Sequence, residues 1–177
     1  MSAAYTREPS LVQAAREGDE VAFDSLVGEL IGPAFKLAMV FLRDPDEAQD
    51  AVQEATVKAW RTLDRLRDDA AVRPWFLTIV ANHCRSVRRT HWWSVTRVPA
   101  LPPVRQEVEA RYDERLDLNR EVSKLPDTDR AALFLFYYLD LPLIEVARVL
   151  KISPQAAKSR VHRAVTKLRL GMLEVAE

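Results

Sequence analysis

The stretch LPLIEVARVLKISPQAAKSRVHRAVTKLR, residues 141–169, decides how the chain is read. It reads as a short helix, a tight turn and a longer second helix. Ser153 suits an N-cap, where its hydroxyl accepts from a free backbone N–H of the first turn. Pro154 suits the first helical position, where no donor is needed and φ is preset. Beyond it Ala157, Val161, Ala164, Val165 and Leu168 recur at helical spacing as an apolar stripe. The opposite face carries Gln155, Lys158, Ser159, His162 and Thr166, flanked by Arg160, Arg163, Lys167 and Arg169. Between Lys151 and Arg169 there are basic residues and no acidic one. A helix that enters a major groove needs short polar or basic side chains toward base edges and Arg or Lys on its flanks toward phosphates. The first helix, near Leu143 to Leu150, would brace it, as in a helix-turn-helix. The alternative for the same residues is a solvated basic helix on another fold.

The totals narrow the partners. The chain has 177 residues, 48% of them hydrophobic, room for one large or two small domains. Twenty-six basic and 26 acidic side chains leave a formal net charge of zero, which excludes a uniformly basic coat. Charge is segregated instead: positive at 82–97 and 151–169, negative at 44–54. Two poles imply two kinds of partner. The single cysteine, Cys84, forbids an intramolecular disulfide or a cysteine-based zinc site, in keeping with a reducing cytosol. No apolar run is expected to reach the ~20 residues that span a bilayer. The N-terminus lacks a basic segment followed by an apolar core, so no signal peptide is expected.

Before residue 141 the pattern is helical throughout. Residues 1–9 read as a frayed start, and Leu11 to Glu17 as a short helix that Gly18 ends. Asp19 can cap a helix to about Leu42 whose buried face is Val21, Phe23, Leu26, Val27, Leu30 and Ile31, with a kink or break at Gly32-Pro33. Asp44-Pro45-Asp46-Glu47 starts the next helix as a cap, a first-position proline and a following Glu. That helix runs to about Leu66 and turns Ala48, Ala51, Val52, Ala55, Ala59 and Leu63 inward. Asp46, Asp50, Gln53, Glu54, Val57 and Arg61 lie along another face, where Asp50, Gln53 and Glu54 are beyond the first turn in which the helix dipole favours acids. They are either plainly solvated or free for a basic partner. After a polar loop, Arg73-Pro74-Trp75 opens a helix with Trp75, Phe76, Ile79, Val80 and His83 to one side. Asn82, Arg85, Arg88 and Arg89 form a basic stripe, closed by Trp92 and Trp93. Basic groups among aromatics suit unpaired or distorted DNA; a core tryptophan with a solvated helix end is the other reading. Residues 94–111, with Pro99, Pro102 and Pro103, read as an extended linker. Helix returns near Tyr112, and Pro126-Asp127 separates it from a run, Asp129 to Leu139, expected in the core on most sides. The fold expected is all-α: two small helical domains, residues 1–93 and 112–177, joined by the linker 94–111.

Here the chain resembles the extracytoplasmic-function (ECF) type of bacterial sigma-70 factor. DEAQDAVQEATVKAWR, residues 46–61, looks like region 2.2 of that family, and RPWFLTIVANHCRSVRR, residues 73–89, like regions 2.3 and 2.4. Residues 125–168 look like region 4, most of all KSRVHRA at 158–164. Ser86 stands where an Asp is frequent, and Ala156-Ala157 replaces a frequent Gly-Thr or Ala-Val pair.

The resemblance implies a factor that binds core RNA polymerase and directs promoter-specific initiation. Asp50, Gln53, Glu54 and Arg61 would meet the β′ clamp. Trp75 and Asn82 would sit near an unstacked base of the −10 element, with Arg85, Arg88 and Arg89 on its phosphates. Gln155, Lys158, Ser159, Arg160, His162, Arg163 and Lys167 would read the −35 element as duplex. The β flap and an anti-sigma factor are further partners the resemblance implies. No cofactor, metal, small-molecule substrate or membrane insertion is expected, and a cytoplasmic location is. Two other functions fit the residues less well. A regulator independent of polymerase would use the helix-turn-helix alone and leave the acidic face and the 82–89 stripe without purpose. A small helical enzyme lacks a catalytic constellation, since His83, His91 and His162 are scattered.

Overall fold

A computed structural model describes residues 10–91 and 112–175, so the expected linker, Trp92, Trp93 and the first nine residues lie outside the described residues. All regular structure within them is helical. The N-terminal domain holds α1 (Leu11–Arg16), α2 (Glu20–Leu42), α3 (Pro45–Thr62) and α4 (Val72–His91). The C-terminal domain holds α5 (Tyr112–Lys124), α6 (Asp127–Leu133), α7 (Leu143–Leu150) and α8 (Pro154–Val175).

The helix ends follow local chemistry. Gly18 adopts φ 95 between α1 and α2, a left-handed conformation glycine takes without penalty. Asp19 accepts from the Ala22 N–H at 3.0 Å to start α2. Asp44 accepts from Glu47 N–H at 2.9 Å, with Pro45 in the first position of α3; such a cap contributes about 1 kcal/mol. α3 ends at Thr62 and tightens into a 3₁₀ turn, Leu63–Arg65. Small inward residues let it lie close to its neighbours: Ala48, Ala51, Ala55 and Ala59 are all fully buried. α3 packs on α2 and α4, which also pack on each other. Phe76, Leu37 and Leu77 fill the space between them with no exposed surface. Burying each such side chain stabilises the fold by roughly 1.5–3 kcal/mol.

Several expectations are corrected. α2 is one uninterrupted helix through Pro33. Residue 33 has no N–H to give the carbonyl of Glu29, but Glu29 and Gly32 are exposed, so solvation can offset the lost bond. Phe23 and Val27 before it and Ala34, Leu37, Ala38 and Phe41 after it hold both halves on the core. Val21 is 74% exposed and Ile31 is exposed too, because the buried stripe turns instead through Phe23, Val27 and Ala34. Contrary to the expectation that no apolar run is long enough, α2 could by length and composition alone cross a membrane, with a mean hydropathy of 1.6; here its apolar side packs against α3 and α4. The polar stretch before α4 contains a 3₁₀ turn, Asp69–Ala71, capped by Asp68.

In the C-terminal domain the run from Asp129 is only partly core. After α6 the chain widens into a π-type turn, Phe134–Tyr138, that buries Leu135 but leaves Tyr137 and Tyr138 exposed. An extra residue per turn rotates the second half of the run, so one apolar string faces both core and solvent. α7 and α8 match their expected starts. Lys151 closes α7 in the left-handed region, φ 54, and Ser153 accepts from the Ala156 N–H at 3.1 Å. Ala157, Val161 and Ala164 are buried against the rest of the domain.

Candidate nucleic-acid and polymerase interface

Three helix faces carry the side chains singled out from sequence. On α3, Asp50, Gln53, Glu54 and Arg61 are all exposed, on the side opposite the buried alanines. Val57 lies among them, 44% exposed. Among the described residues none of these four polar side chains has a hydrogen-bond or ion-pair partner. The face is therefore acidic, open and rigidly backed.

α8 presents Gln155, Lys158, Ser159, His162 and Lys167 to solvent, with Arg160 half-buried. The acid-free stretch starts at a capped N-terminus. Arg163 behaves differently. Its guanidinium makes a two-pronged pair with Asp129 of α6, Nε to Oδ2 at 2.8 Å and Nη2 to Oδ1 at 2.9 Å. The hydrogen bonds to this carboxylate raise the Arg163 pKa above its usual value. Asp129 itself is buried. Arg163 thus fixes the roll of α8 on α6, a duty the spacing of basic residues did not announce. Lys158 and His162 also line, with Phe136, Tyr137, Leu143, Val161 and Val165, an open apolar cleft of about 220 Å³.

On α4 the structure places Trp75 half-buried against the core and Asn82 half-buried near mid-helix. The Asn82 carbonyl oxygen accepts from Arg85 Nη2 at 2.9 Å. Arg89 is exposed. Arg85 is half-buried, and burial above all lowers its pKa from the usual guanidinium value; Cys84 partly offsets this and Arg160 adds to it. Arg85 and Arg88 bond onward to the C-terminal domain. Cys84 is wholly buried and burial pushes its thiol up to about 12, so it is held neutral.

Comparison with known proteins shows the family. A family model described as Sigma-70 region 2 matches residues 26–94, and one described as Sigma-70, region 4 matches residues 115–168. The ECF RNA polymerase sigma factor SigM of Mycobacterium tuberculosis is 30% identical over 91% of this chain and 82% of its own length. The chain belongs to the ECF RNA polymerase sigma factors.

The RNA polymerase sigma-H factor of Pseudomonas aeruginosa is 28% identical, over 89% of this sigma factor and 90% of the relative. Among solved structures, CnrH in complex with the cytosolic domain of CnrY superimposes with a TM-score of 0.69 at 26% identity, covering 94% of this chain and 97% of that one. The factor acts in transcription initiation. Sequence reasoning missed a set of charged residues that hold the fold: Arg43, Asp127, Asp129 and Arg130. Arg130 is only 4% exposed and bonds to the Leu125 carbonyl at 3.2 Å and Asp127 at 2.5 Å. Burial first, then the nearby Arg43, lowers its pKa, and Asp127 partly offsets both. A first-turn Asp at 127 looks like ordinary helix-dipole compensation, so nothing local marks it as a hub.

Proposed function

We propose that residues 1–93 bind core polymerase and the −10 element, that residues 112–177 bind the −35 element, and that residues 94–111 tether the two. Asp50, Gln53, Glu54 and Arg61 of α3 meet the β′ clamp. The observation that carries this is their exposure without partners on a helix whose other side is wholly buried. A rigid, unneutralised acidic face is complementary to a basic helical partner and speeds its docking.

Trp75 and Asn82 contact unstacked bases of the −10 element, with Arg85, Arg88 and Arg89 on phosphates. Flipping a base costs a few kcal/mol, which a preformed pocket offsets while selecting sequence. Gln155, Lys158, Ser159, Arg160, His162 and Lys167 read the −35 duplex, and Arg163 holds their helix in position. The cleft beside Tyr137 and Leu143 has the apolar lining that suits the β flap. Catalysis is no part of this role: each reader binds weakly alone, and polymerase raises the effective concentration of the second contact. The factor works in the cytoplasm, under an anti-sigma factor that covers one or both domains. Transcription in vitro with purified core enzyme tests the whole reading. Start sites that appear only when the factor is added support it; failure to confer any start-site choice overturns it.

A further inference from the structure

α1 ties down a segment that has little else to hold it. Residues 63–71 join α3 to α4 and lead into the turn that carries Trp75. Leu63 and Leu66 are buried, but 67–70 are all exposed. The bonds within the segment are local. Leu66 N–H donates to the Leu63 carbonyl at 3.0 Å, Ala70 N–H to the Asp68 carboxylate at 3.0 Å, and Ala71 N–H to the Asp68 carbonyl at 2.9 Å. Few buried contacts and local bonds alone make for low local stability. Among the described residues the long-range polar tie comes from Arg16, in the last turn of α1. Its Nη2 donates to the Leu66 carbonyl at 2.5 Å and lies 2.9 Å from Asp69 Oδ1. One nitrogen thus bridges the end of the first 3₁₀ turn and the start of the second. The Arg16 side chain is only 22% exposed, so its charge-assisted bonds are stronger than those of a surface pair. α1 has a firm seat of its own: Val12 and Ala15 are buried, and the helix packs on α2. The region 2 family model begins at residue 26, so Arg16 lies outside the residues it matches.

We propose that Arg16 is a positioning residue for the −10 reader. It holds residues 66–71 against the domain, so that the first turn of α4 starts from a fixed point and Trp75 meets a melted base in one orientation. The core sets the axis of α4 through Phe76 and Leu77, which have no exposed surface. Trp75 lies on the half-buried side, where the core holds less firmly. Helix ends fray unless something holds them. Ordering done at the moment of binding is subtracted from affinity, so a base contact gains from a first turn already in place. The inference rests on the reading of Trp75 as a base contact. The geometry also says which replacement preserves the role. Both contacts come from one nitrogen, so the planar fork of Arg is not used, and the three donors on a Lys ammonium can stand in for it.

The test uses holoenzyme assembled from core polymerase and the full-length factor, on a promoter found by mapping start sites. Arg16→Met removes the nitrogen and keeps the apolar stem. Permanganate reactivity reads the open fraction, anisotropy reads −35 duplex binding and core affinity, and thermal unfolding reads the fold. Arg16→Met should lower the open fraction about tenfold and leave the two affinities unchanged. Arg16→Lys should restore opening to within about threefold of wild type; a Lys variant as poor as the Met variant overturns the role. Trp75→Phe should itself lower opening. Combining it with Arg16→Met should cost no more than the worse single change, because both act on one contact. Normal opening by Arg16→Met, or losses that multiply in the double variant, overturns the positioning role and leaves Trp75 as a reader. Normal opening by Trp75→Phe overturns the reading of Trp75, and the inference with it. Should Arg16→Met not fold, Arg16→Gln, which keeps a donor without the charge, is read against the same outcomes.

Discussion

Replacing Asp50 and Glu54 together by Lys separates a docking face from a structural one. Both side chains are exposed and have no partner within the described residues. Asp50 lies beyond the first turn of α3, so the helix dipole is nearly indifferent to it. The swap exchanges one like-charge pair four residues apart for another, and adds a repulsion with Lys58, each worth about 0.2–0.5 kcal/mol. Stability should move by about 0.5 kcal/mol, which for a chain of this size is a Tm shift of about 1–2 °C. Binding should change far more. Losing two interfacial charge pairs at about 2 kcal/mol each weakens association by about 4 kcal/mol, or about a thousandfold in Kd. Titrating a labelled factor with core polymerase measures Kd, and thermal unfolding measures the fold. An affinity within about threefold of wild type refutes the assignment. A Tm loss of about 10 °C or more would place the face in the fold's own support instead.

Asn82→Ala should lower the fraction of open promoter about tenfold, the worth of one hydrogen bond at about 1.4 kcal/mol, and leave −35 duplex binding unchanged; permanganate reactivity of the melted strand checks it, and normal melting removes Asn82 from the site. Arg163→Ala should lower Tm by stranding buried Asp129, yet change the slope of log K against log salt by much less than the ~0.9 expected of a lost phosphate contact; a full unit would show Arg163 leaving Asp129 for DNA. Cys84 should resist thiol reagents at pH 8 until the chain unfolds. Its folded pKa is about 12 against the ordinary 9.0, so its stabilisation is complete below pH 9 and is lost as pH rises from about 9 to 12. Comparing Cys84→Ala with wild type across that range isolates the effect, and parallel stability curves would refute it.

Much of this factor is legible in its amino-acid order, and the reason is distance along the chain. A cap joins residues three apart: Asp44 to Glu47, Ser153 to Ala156. A buried stripe repeats every three or four residues, so the inward alanines of α3 and the starts of α7 and α8 needed no tertiary knowledge. The open acidic face of α3 follows from the same periodicity.

What only the tertiary structure decided concerns partners far away. Pro33 stays inside a helix because packing on α3 and α4 outweighs one lost backbone bond. Tyr137 and Tyr138 turn outward because a widened turn shifts their phase, and periodicity assumes a constant phase. Arg163 meets Asp129 across 34 residues, Arg85 meets Leu150 across 65, and Arg130 meets Val40 across 90. A guanidinium looks the same in sequence whether it will hold a phosphate or a carbonyl. Its long, flexible stem can reach either, and the choice falls to whichever acceptor the folded backbone brings within about 3 Å.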